Sequence, residues 1–198
     1  MDVKTIGVIG AGAKGCEIAC ASLMAGFRTV LEDVSPEILE RGVANIRQTL
    51  EECVTAGKIT PQQKDAAHAN LSTANKVEDV CRQADLLIEA LPEEMEMQLE
   101  IFTIFDKFAR TDAILASTAS SLSINELAAI TFRMENCVGL RFSCPTPDVK
   151  LLEIIRATET SDATVAACAE VGRRMGKKAV VLRESRESVH GRTRATQA

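Results

Sequence analysis

Three features of the sequence predict an α/β fold whose mostly parallel sheet is flanked by helices. Short apolar runs alternate with longer amphipathic ones along most of the chain. Several of the short runs are apolar at successive positions, as in LLIEAL (86–91) and AILAS (113–117), which suits strands buried on both faces. Finally, a glycine-rich turn joins the first strand directly to the first helix.

The elements follow in order. KTIGVIG (4–10) is a buried strand. In KGCEIACASLMAG (14–26), Ile18, Ala19, Leu23 and Met24 recur at helical spacing, and Gly26 ends the run. FRTVLEDV (27–34) is a second strand. Ser35, Pro36 and Glu37 then supply an N-cap, a proline at the first helical position and an acid in the first turn of a helix reaching Gly57. TPQQKDAAHANL (60–71) repeats the Thr-Pro start, so two helices form an excursion after the second strand. A short helix near 77–83, a strand at 84–91, a long helix at 93–109 and a strand at 112–118 come next. A short helix at 123–130 leads to strands at 136–142 and 150–157, then a helix at 161–176 and a strand at 177–183. No internal repeat and no Pro-, Gly- or Ser-rich linker interrupts this order. One domain is therefore expected over 1–183, with 184–198 as a basic tail of little apolar content.

Composition excludes several function classes. A net charge of −5 argues against general affinity for nucleic acid or an anionic membrane. The charge is uneven, because residues 173–198 hold eight Lys/Arg against two Glu, but a solvated end accounts for that. No run is long enough to span a membrane, and a strand that starts just after Asp2 leaves no signal or transit peptide to expect. Seven cysteines without a C-x-x-C pair suit a reducing compartment, so a cytoplasmic location is expected. Cys16 and Cys20 lie four apart on a helix, yet no further Cys or His stands at ligand spacing. They read as small buried hydrophobes, and no metal is expected.

The glycine turn, GAGAKG (10–15), carries the first chemistry. Gly10 permits a tight turn, Gly12 lets the backbone approach a pyrophosphate, and Gly15 lets helix and strand pack closely. The free N–H groups of the helix start, with the helix dipole behind them, hold phosphate oxygens. Asp33 closes the second strand 21 residues past Gly12, where a carboxylate accepts from ribose hydroxyls and repels a 2′-phosphate. NAD is thus expected over NADP. Glu32 is a rival for that role, but strand alternation turns it to the other face.

IGVIGAGAKG, the acid-ended second strand, LLIEALPEEMEMQ, AILASTASSLSINELA and VGLRFSCPTPDVKLLEII together resemble the NAD-binding domain of the L-3-hydroxyacyl-CoA dehydrogenases, from residue 3 to about 183. The resemblance implies a Rossmann-type sheet, NAD as cofactor and an acyl-CoA-type small molecule as substrate. It implies oxidation of the 3-hydroxyl, with hydride passing to NAD. By position it places the cofactor contacts on Gly10, Gly12, Ala13, Lys14, Gly15, Asp33, Glu93, Gln98 and Thr118. It places the chemistry on Ser120, Arg141 and Glu153.

Arg141 is the main departure. The family has a histidine there, in H-F-x-N-P, that takes the hydroxyl proton, and a glutamate twelve residues on, here Glu153, that orients it. An arginine, with a pKa above roughly 12, has no lone pair to accept a proton near neutral pH. Other departures lie close by. Thr118 and Ala119 replace the Asn and Thr of S-N-T-S-S-L, Cys144 replaces an Asn, and Gln98 replaces a Lys. Arg186, Glu187 and Ser188 stand where the family has P-G-F, with Gly191 for a polar residue, and the family's helical second domain does not follow.

Neither histidine fills the gap. His68 belongs to the helical excursion and His190 to the tail. Cys144 has no histidine placed to activate it and reads as an inert thiol. Ser120 and Ser121 serve equally well as helix caps or substrate contacts. Three functional readings follow: an NAD-binding domain whose dehydrogenation is weak or lost, a working dehydrogenase completed by another base or a partner subunit, and a non-enzymatic module responsive to NAD or acyl-CoA. The expected association is a monomer, or a dimer through a surface other than the family's. Arg141 is expected to pair with Glu153.

Overall fold

The computed structural model describes residues 1–146 and 149–184. Four strands, β1 (Thr5–Ile9), β2 (Arg28–Glu32), β3 (Leu71–Ala74) and β4 (Leu86–Glu89), lie in one sheet with β5 (Ile114–Ser117), β6 (Cys137–Thr146), β7 (Val149–Arg156) and β8 (Lys178–Arg183). Their order is β3-β2-β1-β4-β5-β6-β7-β8. All neighbours run parallel except β6 and β7, which form an antiparallel pair. Chain order thus runs outward from β1 to β3, then jumps back across β1 to β4. The jump opens a crevice at the carboxyl ends of β1 and β4, the usual ligand position of a doubly wound sheet.

Helices cover both faces. α1 (Ala13–Met24), α2 (Pro36–Thr55), α3 (Pro61–Ala69) and α7 (Asp162–Arg174) pack on one side, where Ile18, Leu23, Leu39, Ile46, Leu50 and Val171 meet Val8, Leu31, Ile88 and Ile154. α4 (Val77–Cys81), α5 (Met95–Phe108) and α6 (Ile124–Ala129) cover the other through Val80, Phe102, Phe105 and Leu127. Phe102 and Phe105 are fully buried and stack tilted, 5.6 Å between centroids. Truncating either to alanine costs about 3–5 kcal/mol.

Local chemistry sets the helix starts as expected. The Ser35 side chain accepts from the Ile38 N–H ahead of Pro36, and Thr60 and Gln63 form a reciprocal capping box at α3. The strand β3 was not expected; the sequence pattern ran helix through Leu71. LSTA is short, half exposed and at the sheet edge, so it lacks the buried apolar run that marks the central strands. Its pairing with β2, not its composition, makes it a strand. A 3-10 turn at Met134–Asn136 was likewise unforeseen.

No helix among the described residues is long and apolar enough to cross a membrane. The basic tail assigned to 184–198 lies outside the described residues from 185 on, and with it His190.

The first turn is the tightest place in the fold. Gly10 has φ of 102°, a conformation L side chains rarely adopt. A Cβ on Gly15 would sit 1.8 Å from the Gly10 carbonyl oxygen. Gly15→Ala is therefore expected to destabilise the protein by about 3 kcal/mol or more, or to prevent folding. Urea unfolding reads this directly, and an unchanged midpoint would show that the turn relaxes without cost.

Candidate functional site

The site is built at the carboxyl ends of β1, β2, β4 and β5 and midway along β6. At the first of these, Gly10 donates its N–H to the Glu32 carbonyl at 2.8 Å, locking the turn to β2. α1 then begins on Gly12 with no side-chain cap. Its first-turn N–H groups have no intrahelical acceptor, and a Cβ on Gly12 would meet nothing within 4 Å. An exposed Ala13 and Lys14 follow. This open, uncapped helix start is a cradle of the kind that holds a pyrophosphate. The Cys16 thiol ties the cradle down by donating to the Ala11 carbonyl at 3.1 Å and to that of Gly42 in α2.

Asp33 braces the same turn. One carboxylate oxygen accepts from the Ala11 N–H at 2.9 Å and the other from the Ser35 N–H at 2.9 Å. Asp33 itself is half-buried just past the end of β2. Glu32, its rival, is buried and lies near Glu78 of α4. Burial, with smaller contributions from Asp33 and Glu78, pushes its carboxyl up to about 7. An acid held partly protonated in a core is poorly suited to accept from a ribose.

At the carboxyl end of β4 stands Glu89, fully buried, accepting from the Leu91 N–H at 2.6 Å and the Ser117 hydroxyl at 2.6 Å. Burial raises its pKa, while those hydrogen bonds and the charge of Lys14 lower it in part. Ser117 in turn accepts from the Ala119 N–H at 3.1 Å. The sequence reading passed over Glu89 and Ser117. The signal was a lone carboxylate inside an otherwise apolar run, a costly placement that needs a built-in partner.

The segment after β5 is held from outside as well. Glu93 accepts from the N–H and hydroxyl of Ser120 and from the N–H and hydroxyl of Ser121. Burial works against ionisation, but these four donors outweigh it and hold the carboxyl at about 2. Two sequence candidates nearby have unpaired polar atoms. Thr118 Oγ1 and both amide atoms of Gln98 are buried with no hydrogen-bond partner among the described residues. Buried polar atoms left this way are candidates for a ligand or water. Gln98 is fully enclosed on the core face of α5.

Arg141 and Glu153 stand directly opposite each other in the antiparallel β6–β7 register. Nevertheless they form no ion pair, which corrects the expectation from sequence. The guanidinium turns instead to the segment after β5. Nε donates to the Ala119 carbonyl at 3.3 Å and Nη2 to the Ser120 carbonyl at 2.7 Å. The physical reason is that both side chains are only half buried, where a direct ion pair gains little, whereas two peptide carbonyls match the edge of the guanidinium. Ser120, Arg141 and Glu153 are thus brought to one place, with Glu93 beside Ser120. His68 is not among them. It lines a cavity of about 370 Å³ between α2 and β3, with Leu39, Arg47 and Leu71, at the far edge of the sheet.

Glycine cradle, acid-ended β2 and switch-point crevice define the class: a doubly wound domain of dinucleotide-binding type. Residues 5–185 match the family described as 3-hydroxyacyl-CoA dehydrogenase, NAD binding domain, and the chain belongs to that family. A 3-hydroxybutyryl-CoA dehydrogenase of Bradyrhizobium diazoefficiens is 38% identical over 179 residues, covering 90% of this chain and 61% of that protein. A probable 3-hydroxybutyryl-CoA dehydrogenase of Bacillus subtilis is 35% identical over 184 residues, covering 93% of this chain and 64% of that protein. The crystal structure of an (S)-3-hydroxybutyryl-CoA dehydrogenase from Ralstonia eutropha superposes with a TM-score of 0.86 at 32% identity, over 93% of this chain and 65% of that one. The chain therefore spans less than two thirds of the length of these relatives, and its cofactor is NAD.

The buried Glu32 yields a pH prediction. Its folded pKa, about 7, lies above the ordinary value of 4.5, so the folded state binds the proton more tightly than the unfolded chain. The stability this confers is complete below pH 4.5 and is lost as pH rises through about 7. Glu32→Gln should flatten this loss, of at most about 3 kcal/mol, in denaturant midpoints measured from pH 4 to 8. An equal slope in both proteins would contradict the burial of an ionisable Glu32.

Proposed function

We propose that residues 1–183 act as one NAD(H)-binding domain of 3-hydroxyacyl-CoA dehydrogenase type in which dehydrogenation of acyl-CoA substrates is weak or lost. The observation that carries this reading is Arg141, midway along β6 and level with the segment after β5, bonded to the carbonyls of Ala119 and Ser120. Gly10, Gly12 and the uncapped start of α1, with Ala13, Lys14 and Gly15, would hold the pyrophosphate. Asp33 would accept from the adenosine ribose, and Thr118 with Glu93 would border the nicotinamide end. NAD, when bound there, supplies a hydride acceptor. A proton acceptor for the 3-hydroxyl is the missing part. Arg141 has no lone pair at neutral pH, and Glu93, held at about 2, is too weak a base to serve. The Ser120 hydroxyl already donates to Glu93, so it can only accept a bond from a ligand.

Titration calorimetry should show NAD(H) binding more tightly than NADP(H), with Asp33→Ala narrowing the gap. Gly12→Ala should weaken cofactor binding while stability stays within about 1 kcal/mol, because its Cβ meets nothing in the folded chain. NADH formation from 3-hydroxybutyryl-CoA should be at least about a hundredfold slower than general-base catalysis allows, and Arg141→His should raise it. Robust turnover by the unmodified chain would overturn the reading.

A further inference from the structure

The Arg141 side chain is positioned for a task other than proton transfer. A guanidinium presents its N–H groups as two parallel pairs, one on the edge shared by Nε and Nη2 and one at the far end across Nη1 and Nη2. The first edge is consumed here: Nε donates to Ala119 and Nη2 to Ser120. Both acceptors are neutral peptide carbonyls, so the positive charge is oriented without being cancelled. Among the described residues no carboxylate lies within 4 Å of it, Glu153 included. The nearest site carboxylate, Glu93, is committed to four donors on Ser120 and Ser121.

At the far edge Nη1 has no hydrogen-bond partner among the described residues. The bond to Ala119 is partly buried, whereas the bond to Ser120, one atom further along the guanidinium, lies at the surface. Parallel pairing places Gly139 of β6 beside Ser117 of β5, so Arg141 stands level with Ala119, just past the end of β5 and on the crevice side of the sheet. Around it on the same face of β6 and β7 are Ser143 and Glu153, with the apolar Leu151 and Ile155 one pair to either side.

We propose that the outer edge of Arg141 is a carboxylate anchor, so that the ligand sharing this cleft with NAD(H) carries a free carboxylate, as a 3-oxo or 3-hydroxy acid does, rather than a neutral thioester carbonyl. A carboxylate has two oxygens at the spacing of the Nη1–Nη2 pair and receives both bonds, each charge-assisted. A thioester carbonyl offers one neutral acceptor and leaves the cation unmatched. The Ala119 and Ser120 carbonyls preorganise the fork, which reduces the entropy lost when a ligand docks. This inference rests on the cofactor reading for its location, and its test separates the two.

The probes are acetoacetate and its neutral isostere acetoacetamide, titrated with and without saturating NADH and followed by ligand-observed NMR. Acetoacetate should bind about 10- to 100-fold more tightly than the amide, the range for charge-assisted hydrogen bonds. Arg141→Gln should abolish that preference, and Arg141→Lys, which keeps the charge but loses the planar fork, should reduce it to a few-fold. Equal affinity for the two probes, or a preference that survives Arg141→Gln, overturns the proposal. Should Arg141→Gln fail to fold, by circular dichroism, an unreduced preference in Arg141→Lys overturns it instead. Absence of NADH binding would sink the cofactor reading alone, since a carboxylate preference lost with Arg141 is measured in its absence too.

Discussion

The approach of Gly15 to the Gly10 carbonyl is the constraint on which the rest of the site depends. Because no side chain intervenes, α1 starts directly above the end of β1, and its uncapped N–H groups point into the switch-point crevice. The same turn receives the Asp33 carboxylate on Ala11 and the Cys16 thiol on the Ala11 carbonyl, and donates from Gly10 to β2. Moving α1 outward would break the Cys16 bond to this turn. The turn therefore links sheet twist, helix position and cofactor geometry in one rigid unit.

A second unit lies across the crevice. The segment after β5 is gripped by Glu89 through Ser117 from within, by Glu93 through two serines from outside, and by Arg141 through two carbonyls from β6. The two carboxylates are driven in opposite directions. Burial dominates at Glu89 and raises its pKa, while four donors dominate at Glu93 and lower it. Glu93, held at about 2, is not tuned to exchange protons near neutral pH. The local chemistry is that of a polar scaffold, with Arg141 as its outward-facing charge.

Family membership and these departures are compatible because they fall on separate parts of the sheet. The cofactor cradle is made by β1, β2 and α1, and its requirements are met by backbone geometry and one acid. On the proposed reading the chemical end lies at β5, β6 and β7, where Ser120, Arg141 and Glu153 come together. Substitution at Arg141 changes the second without disturbing the packing that supports the first. Similarity over 90% of the chain to a 3-hydroxybutyryl-CoA dehydrogenase therefore speaks for the fold and for NAD.

The sequence by itself determined the elements whose signals are local. Apolar runs identified β1, β4 and β5, Ser35-Pro36 and Thr60-Pro61 marked two helix starts, and GAGAKG with Asp33 marked the cofactor end. These are legible because propensity, burial and capping act within a few residues. β3 was not, since a half-exposed LSTA becomes a strand only by pairing with β2. Nor was the Glu89–Ser117 bond, whose partners are 28 residues apart on adjacent strands. The family resemblance did place Arg141 and Glu153 within reach of each other, as their register shows, but not the direction of the guanidinium. A long side chain with several rotamers chooses among acceptors of similar strength, and only the tertiary structure, by bringing the Ala119 and Ser120 carbonyls alongside, decided which it meets.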